Sequence, residues 1–562
     1  MTERWRTRSI RGEASLVAAL MLIAVVSGHG FVRTPPEQSV SAERHSLWVH
    51  PPDIGTTQQS VQAFVERARR AHIETIIVLV KGMSGEIYWT SRTFPQSVVK
   101  GYESFDMLRE LTKEAHRVGI KVHAWLCDFV EGANGAAIRT HPEWAAINPA
   151  GGATTTETLG PRRRPYPYLW MCPARRPGYT DQWLLPMIEE IVRSYPVDGI
   201  HHDYVRYPGD VGPDSFCFCD YCLKNIPRYA MLAYETRAGE RYSVDPRQER
   251  IEANWWTDPT MLPADWNERD RRERADFLLN GRTIPGGSPD VRYFFYDYRI
   301  AQIARFVREA HERVKAVNPK LELSAAVFKN PVQSGRFLGQ QWDRWNQSID
   351  VYTPMTYRSH FAGSFEAYLD HLEETTRRQL EWIGKGRPLE AGIATTYLYR
   401  EELKPFDDMT NSIDVLKDLQ QAGDQIAAAN RQLNAAVYVL KDAAADTGAA
   451  RVTAVHQLND AHDHLQKRLS SLDPNRGKAL ATLVAAVGKA DDARAPAVLD
   501  ELAKSVAALR ADLPAGFCPP EKLAQAIEAA RRAHPDGIAV FAASSITREK
   551  LWPALEKAFA GK

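Results

Sequence analysis

From Val197 to Pro208 the chain reads Val-Asp-Gly-Ile-His-His-Asp-Tyr-Val-Arg-Tyr-Pro, a dense run of acids, imidazoles, phenols and a guanidinium. Packing so many polar groups beside apolar residues is costly unless they have a purpose. Asp198-Gly199 reads as a turn into a short strand, and Asp203 then falls where that strand ends. A carboxylate at such a position can serve as nucleophile or charge stabiliser for an oxocarbenium-like transition state. Arg206, Tyr204 and Tyr207 are placed to hold it ionised and oriented. The plainer alternative is an Asp that pairs with Arg206 only to brace a loop. Strand alternation puts His201 on the face of Asp203, where it would hydrogen-bond a sugar hydroxyl, and turns His202 to the opposite face as a structural residue.

A second cluster follows. Phe216-Cys217-Phe218-Cys219-Asp220-Tyr221-Cys222 holds three of the chain's 6 cysteines. Cys-x-Cys-x2-Cys is a tight thiolate group of the kind zinc uses, one ligand short of a tetrahedron. The arrangement resembles the structural zinc site of some family 42 β-galactosidases, in which a distant Cys joins such a knuckle beside the active site. That resemblance implies a structural zinc held by Cys172, Cys217, Cys219 and Cys222, tying two loops together. A disulfide from Cys172 to one of the three, or a set of free thiols, stands as the alternative. Cys127 and Cys518 stand apart and read as buried residues.

These groups need a scaffold, and the hydrophobic pattern supplies one. From Ser41 onward, short β-branched apolar runs alternate with amphipathic stretches, as in β-α units around a parallel sheet. Strands are expected at Ser46–His50, Thr75–Val80, Lys121–Leu126, Gly199–Tyr204, Glu322–Phe328, Asp350–Thr356, Leu389–Thr395 and Gly537–Ala542. Helices are expected between them, as at Thr57–Ala71, where Val61, Phe64, Val65, Ala68 and Ala71 form one stripe; residues 335–347 carry no clear pattern. Eight parallel strands with about one helix after each is the count of a TIM (β/α)8 barrel. A doubly wound sheet would use fewer strands, and no Gly-x-Gly-x-x-Gly follows any of these.

The long segments 127–178, 205–290 and 396–519 all leave carboxyl ends of strands, the face on which barrel active sites are built. Residues 409–511 differ from the rest: they are Ala-rich, nearly free of aromatics, and their aliphatic residues step by threes, fours and sevens. Three helices are expected there, with a turn at Asp473-Pro474-Asn475-Arg476-Gly477, forming a structural insert or lid; a protein-binding coiled coil is the alternative. The barrel then occupies 41–408 and 512–562.

Composition narrows the function classes. The chain has 562 residues, 71 Lys+Arg against 70 Asp+Glu, and a net charge of +1, so no basic excess points to nucleic acid. Six Cys are too few for a disulfide-built scaffold. Fourteen Trp and 21 Tyr offer flat faces on which sugar rings stack. Tyr166, Tyr168, Trp170, Trp255, Trp256 and Trp266 fall in loops, as sugar platforms or as loop anchors, while Arg162-Arg163-Arg164 reads as a solvated run. At the N-terminus, Arg4, Arg6, Arg8 and Arg11 precede an apolar run from Ala14 to Val26 and then Ser27-Gly28-His29-Gly30. This is the layout of a secretory signal over residues 1–30, and export follows from it; an uncleaved anchor is the alternative. No later segment is apolar enough to span a membrane.

Asp198 to Pro208 resembles the signature of the glycoside-hydrolase-like family 10 proteins. Val122-His123-Ala124-Trp125-Leu126 looks like that family's third strand, and His141-Pro142-Glu143-Trp144 like the loop after it. Asp350-Val351-Tyr352-Thr353-Pro354-Met355-Thr356-Tyr357 is similar to its sixth strand, and Asp536-Gly537-Ile538 to its eighth. The resemblance covers about Ser46 to Phe406 and Pro519 to the end. It implies an exported TIM barrel acting on a polysaccharide or oligosaccharide, with Asp203 as key carboxylate and His123, Trp125, His201, Tyr204, Arg206, Tyr207 and Tyr357 around the sugar. No organic cofactor is implied. Glycoside cleavage usually needs a second carboxyl group, and Asp128 is the first choice, ahead of Glu86, Asp53 and Asp343. The rivals are a glycan-binding barrel that lost its acid and a scaffold that binds a partner through its helices. A metal-dependent amidohydrolase would want His-x-His on strand one, which ends instead in Trp48-Val49-His50.

Overall fold

A computed structural model describes residues 43–159, 164–212, 215–226, 265–280, 292–432, 437–487, 489 and 494–560. Residues 1–30, read above as a secretory signal, and Arg162, Arg163, Trp255 and Trp256 lie outside them. Eight parallel strands close into a barrel: β1 (Arg44–Val49), β2 (Thr75–Lys81), β3 (Lys121–Cys127), β4 (Gly199–Asp203), β5 (Glu322–Phe328), β6 (Val351–Met355), β7 (Glu390–Ala394) and β8 (Gly537–Phe541). Each pairs with its sequence neighbours, and β8 closes on β1. This is the expected (β/α)8 barrel. Both faces of each strand are covered, which is why Thr-Ile-Ile-Val-Leu-Val-Lys in β2 is buried along its whole length.

One device recurs at the amino-terminal end of the strands. Asp198, Asp350 and Asp536, just before β4, β6 and β8, accept the backbone N–H groups of Val122, Leu323 and Leu389 at 2.8, 2.9 and 2.9 Å. Each carboxylate thereby ties the start of an even strand to the odd strand before it. Two of the three ties, Asp198 and Asp536, are the Asp-Gly pairs legible in the sequence. Gly199 is required beside its tie, because a β-carbon there would lie 2.4 Å from the Glu322 carbonyl oxygen and 2.8 Å from His123 Nε2.

Three differences from the pattern-based reading have physical causes. β4 stops at Asp203 rather than Tyr204, because Tyr204 turns into the left-handed region at φ 50°. Residues 335–347 hold the end of the helix Pro331–Leu338 and a short turn of helix at Trp342–Trp345, too brief to leave a periodic pattern. Among the described residues, 400–511 form four helices where three are expected: Arg400–Gln432, Val437–Leu472, Pro474–Val487 and Ala495–Ala511. Asp473 alone interrupts the chain between the second and third, and Pro474 opens the next helix, a position that tolerates a missing N–H. No helix among the described residues is long and apolar enough to cross a membrane.

Candidate active site

At the carboxyl ends of the strands lies a cavity of about 690 Å³, and Asp203 lines it. The register places Cys127 of β3 opposite Asp203. The left-handed turn at Tyr204 aims that residue's own N–H at Asp203 Oδ1, at 2.7 Å. Beyond it, the Arg206 guanidinium stacks on Trp170 and Tyr204 at 4.8 Å each and on Phe328 at 5.2 Å, so it is 6% exposed. Burial pushes the Asp203 carboxyl up to about 6. The Tyr204 N–H, Arg206 and the Trp125 indole pull the other way, and the nearby Asp128 adds to the rise. Arg206 favours the ionised form, the direction its placement predicts, but desolvation is the larger effect.

The walls are aromatic. Trp125 and Phe541 stand 6.2 Å apart, His50 lies edge-on to both at 5.3 and 5.9 Å, and Tyr357 stacks on Phe541 at 6.0 Å. Tyr397, 42% exposed, continues this wall beside Tyr357 at 6.2 Å. Three more carboxylates line the cavity: Glu86, Asp53 and Asp210. Glu86 folds back over Gly82, where an added β-carbon would stand 2.0 Å from its Oε1, and accepts the Ser84 N–H at 2.7 Å. Asp53 accepts the His50 N–H at 3.1 Å, and burial raises its pKa. Asp210 accepts the Tyr166 hydroxyl at 3.1 Å.

The structure thus brings Asp203, Trp125, Tyr204, Arg206 and Tyr357 to one cavity, with the acid candidates Glu86 and Asp53, and leaves out Asp128, His123, His201, Tyr207 and Asp343. Asp128 sits behind the wall, fully buried, with Oδ2 2.9 Å from His202 Nδ1. Its carboxyl has no face on the cavity, which counts against a role as proton donor to a bound sugar. Beside it, Lys81 donates to the carbonyls of Cys127 and Val130 at 2.7 and 2.9 Å and pairs with buried Glu131 at 3.1 Å. His202 is turned away from the barrel interior, as alternation requires. His201 and His123 point inward but lie below the cavity, sealed in the barrel. Tyr207 packs under Arg299, whose guanidinium is 4.6 Å from its ring, and also faces away. Asp343 likewise does not line the cavity.

Of the loop aromatics, Tyr168 lines the cavity, whereas Trp170 is buried under Arg206 and donates to the Tyr166 hydroxyl at 2.9 Å. Trp266 packs on Phe277 at 5.9 Å as a loop anchor. Sequence reasoning did not single out Trp48, Tyr88, Phe328, Tyr397 or Phe541 as lining residues. Their shared signal is position: each stands near the carboxyl end of a barrel strand or just beyond it.

The four cysteines of the knuckle converge. Cys172, Cys217, Cys219 and Cys222 are all buried, and their sulfurs lie within 4.8 Å of one another. Cys172 Sγ is 3.8 Å from that of Cys219 and 3.6 Å from that of Cys222. Four sulfurs each about 2.3 Å from one zinc would stand about 3.8 Å apart at the tetrahedral angle. A disulfide, by contrast, needs about 2.05 Å. The Ile147 N–H donates to Cys217 Sγ at 3.3 Å, a bond suited to a thiolate. The residues present therefore fit a tetrahedral thiolate metal.

Residues 41–381 match the family model described as Glycosyl hydrolase-like 10. An S-layer-related protein of Niallia circulans is 23% identical over 383 residues, covering 62% of this chain and 21% of that protein. The glycosyl hydrolase DigH of Escherichia coli K12 is 28% identical over 178 residues, covering 29% of this chain and 38% of that protein. The chain thus spans well under half the length of either curated relative. Among solved structures, the PgaB (BpsB) glycoside hydrolase domain from Bordetella bronchiseptica aligns at 14% identity and TM-score 0.39, covering 64% of this chain and 90% of that one. A β-galactosidase from Rahnella sp. R3 aligns at 17% identity and TM-score 0.40, covering 64% of this chain and 46% of the other.

Proposed function

The chain belongs to the glycosyl hydrolase-like 10 family, and from that premise we propose that it is an exported glycoside hydrolase acting on an oligosaccharide or polysaccharide. The observation that carries this reading is Asp203, raised to about 6 at the head of an aromatic cavity that Glu86 also lines. A carboxyl held near neutrality can carry a proton to the glycosidic oxygen and take one back from water. Asp203 is assigned that role, a change from the nucleophile that strand position alone suggested. Glu86 is assigned the second carboxylate role, as base or nucleophile. Trp125, Tyr357, Tyr397 and Phe541 offer ring faces to the sugar.

Cys172, Cys217, Cys219 and Cys222 are assigned a structural zinc. It would tie the loop after β3 to the loop after β4, both of which build the cavity, and it takes no part in the chemistry. The N-terminal basic and apolar segment supports export.

The test is release of reducing ends from a broad glycan panel by wild type, Asp203→Asn and Glu86→Gln. Each replacement is expected to lower turnover by about 10²–10⁴-fold while leaving glycan binding in place. Turnover retained in Asp203→Asn would sink the assignment, and binding without turnover in wild type would favour a non-catalytic glycan-binding barrel.

A further inference from the structure

Below the cavity the barrel interior holds a chain of polar groups that the chemistry above does not use. The Trp48 indole N–H, at the cavity floor, donates to His201 Nε2 at 3.1 Å. His201 Nδ1 lies 2.8 Å from Ser324 Oγ, and His123 Nδ1 lies 3.1 Å from the same oxygen. His123 Nε2 has no hydrogen-bond partner and faces Glu322 Oε2 at 3.5 Å. Glu322 is in turn held by Arg44 at 2.6 Å and Lys121 at 3.1 Å. Trp48, His201, Ser324 and His123 come from four different strands, and each is at most 3% exposed.

The donors and acceptors follow one order when the Ser324 hydroxyl takes its nearer acceptor, His123 Nδ1 at 3.1 Å, over the Ile200 carbonyl at 3.5 Å. An indole nitrogen can only donate, so His201 Nε2 must accept and the His201 proton sits on Nδ1. That proton goes to Ser324 Oγ, leaving the Ser324 hydroxyl to donate to His123 Nδ1. The His123 proton then sits on Nε2 and points at the Glu322 carboxylate. The three bonds run the same way, from the cavity floor to His123, whose Nε2 faces the Glu322 carboxylate at the opposite end of the barrel. Aligned bonds polarise one another in a low-dielectric interior.

We infer that His201, Ser324 and His123 are positioning residues that lock the Trp48 indole, and through it the ring wall, at the floor of the cavity. Trp48 meets Phe541 edge-on at 6.0 Å, and Phe541 touches Trp125, His50 and Tyr357. The consequence for sugar binding rests on the glycosidase reading above; the positioning itself does not.

The experiment is nitrogen-15 NMR of histidine-labelled full-length protein, with the two rings assigned through single replacements. His201 is expected as the Nδ1–H tautomer and His123 as the Nε2–H tautomer, with the Trp48 indole proton protected from exchange. Ser324→Ala is expected to lose the fixed tautomers and to speed Trp48 indole exchange about three- to tenfold, the worth of one hydrogen bond; Ser324→Thr, which keeps the hydroxyl, should restore them. Reversed tautomers in wild type, or an unchanged Trp48 indole in Ser324→Ala, would overturn the inference. None of these readouts involves a glycan, so an inactive glycan panel would count against the glycosidase reading alone.

Discussion

Asp203→Asn should make the protein more stable at neutral pH while lowering turnover, and the structure sets the size of the gain. Folding raises the Asp203 carboxyl from its ordinary 3.8 to about 6, chiefly by taking it out of water. A group whose pKa rises on folding binds its proton more tightly in the folded chain. Folded stability therefore falls as pH climbs between those two values and levels off above them. At 1.36 kcal/mol per tenfold change, the ionised carboxylate costs up to about 3 kcal/mol above pH 6. Partial exposure trims this, so about 1–3 kcal/mol is the expected gain for the variant. Asn keeps the size of Asp, and its Oδ1 can still accept the Tyr204 N–H, so little else changes. The assay is urea unfolding of both proteins at several pH values from 4 to 8. The two curves should meet near the acid end, diverge as pH rises, and run parallel above about pH 6. A variant no more stable than wild type at pH 7, or a gap that does not vary with pH, would refute the account of a carboxyl strained by burial. The trade of stability for function is common at active sites.

Three further outcomes are expected. Protein purified without refolding should contain about one zinc per chain, Cys219→Ser should lose it, and less than about half an equivalent by elemental analysis would count against the site. Lys81→Met should destabilise the fold by about 3–5 kcal/mol in denaturant titration, because it leaves the buried Glu131 carboxylate without its cation. Gly199→Ala should cost about 1–3 kcal/mol, since its β-carbon would meet the Glu322 carbonyl at 2.4 Å; an unchanged unfolding midpoint would show that β4 and β5 can part there.

The eight strands were legible because each is a short apolar run bounded by polar turns, and burial on both faces of a parallel sheet demands that composition. Asp203 was legible for a different reason: so dense a run of polar residues at a strand end is an anomaly that packing alone does not explain. The thiolate cluster was legible because three of its four sulfurs lie close in sequence. Cys172 entered by resemblance, and the fold brings it to them across the loop after β3.

Which carboxylates line the cavity beside Asp203 was not legible. Asp128 and Glu86 both follow barrel strands, and nothing in their neighbours tells which faces the cavity. The choice depends on the loop after β2, where Glu86 folds back over Gly82, and on the Asp128 side chain turning outward to His202. The depth of His123 and His201 was hidden too. Alternation says that a side chain points inward, but only the stagger between neighbouring strands says at what level of the barrel it lies. The register sets His201 beside Ser324, one layer below the cavity, rather than in it. Local chemistry along the chain thus determined the strands, the acid at the end of β4 and the Cys217-Cys219-Cys222 knuckle, because each rests on residues near one another in sequence. Which carboxylates and which rings line the cavity with Asp203 depended on the register of eight strands and the path of their loops, a property of the closed barrel as a whole.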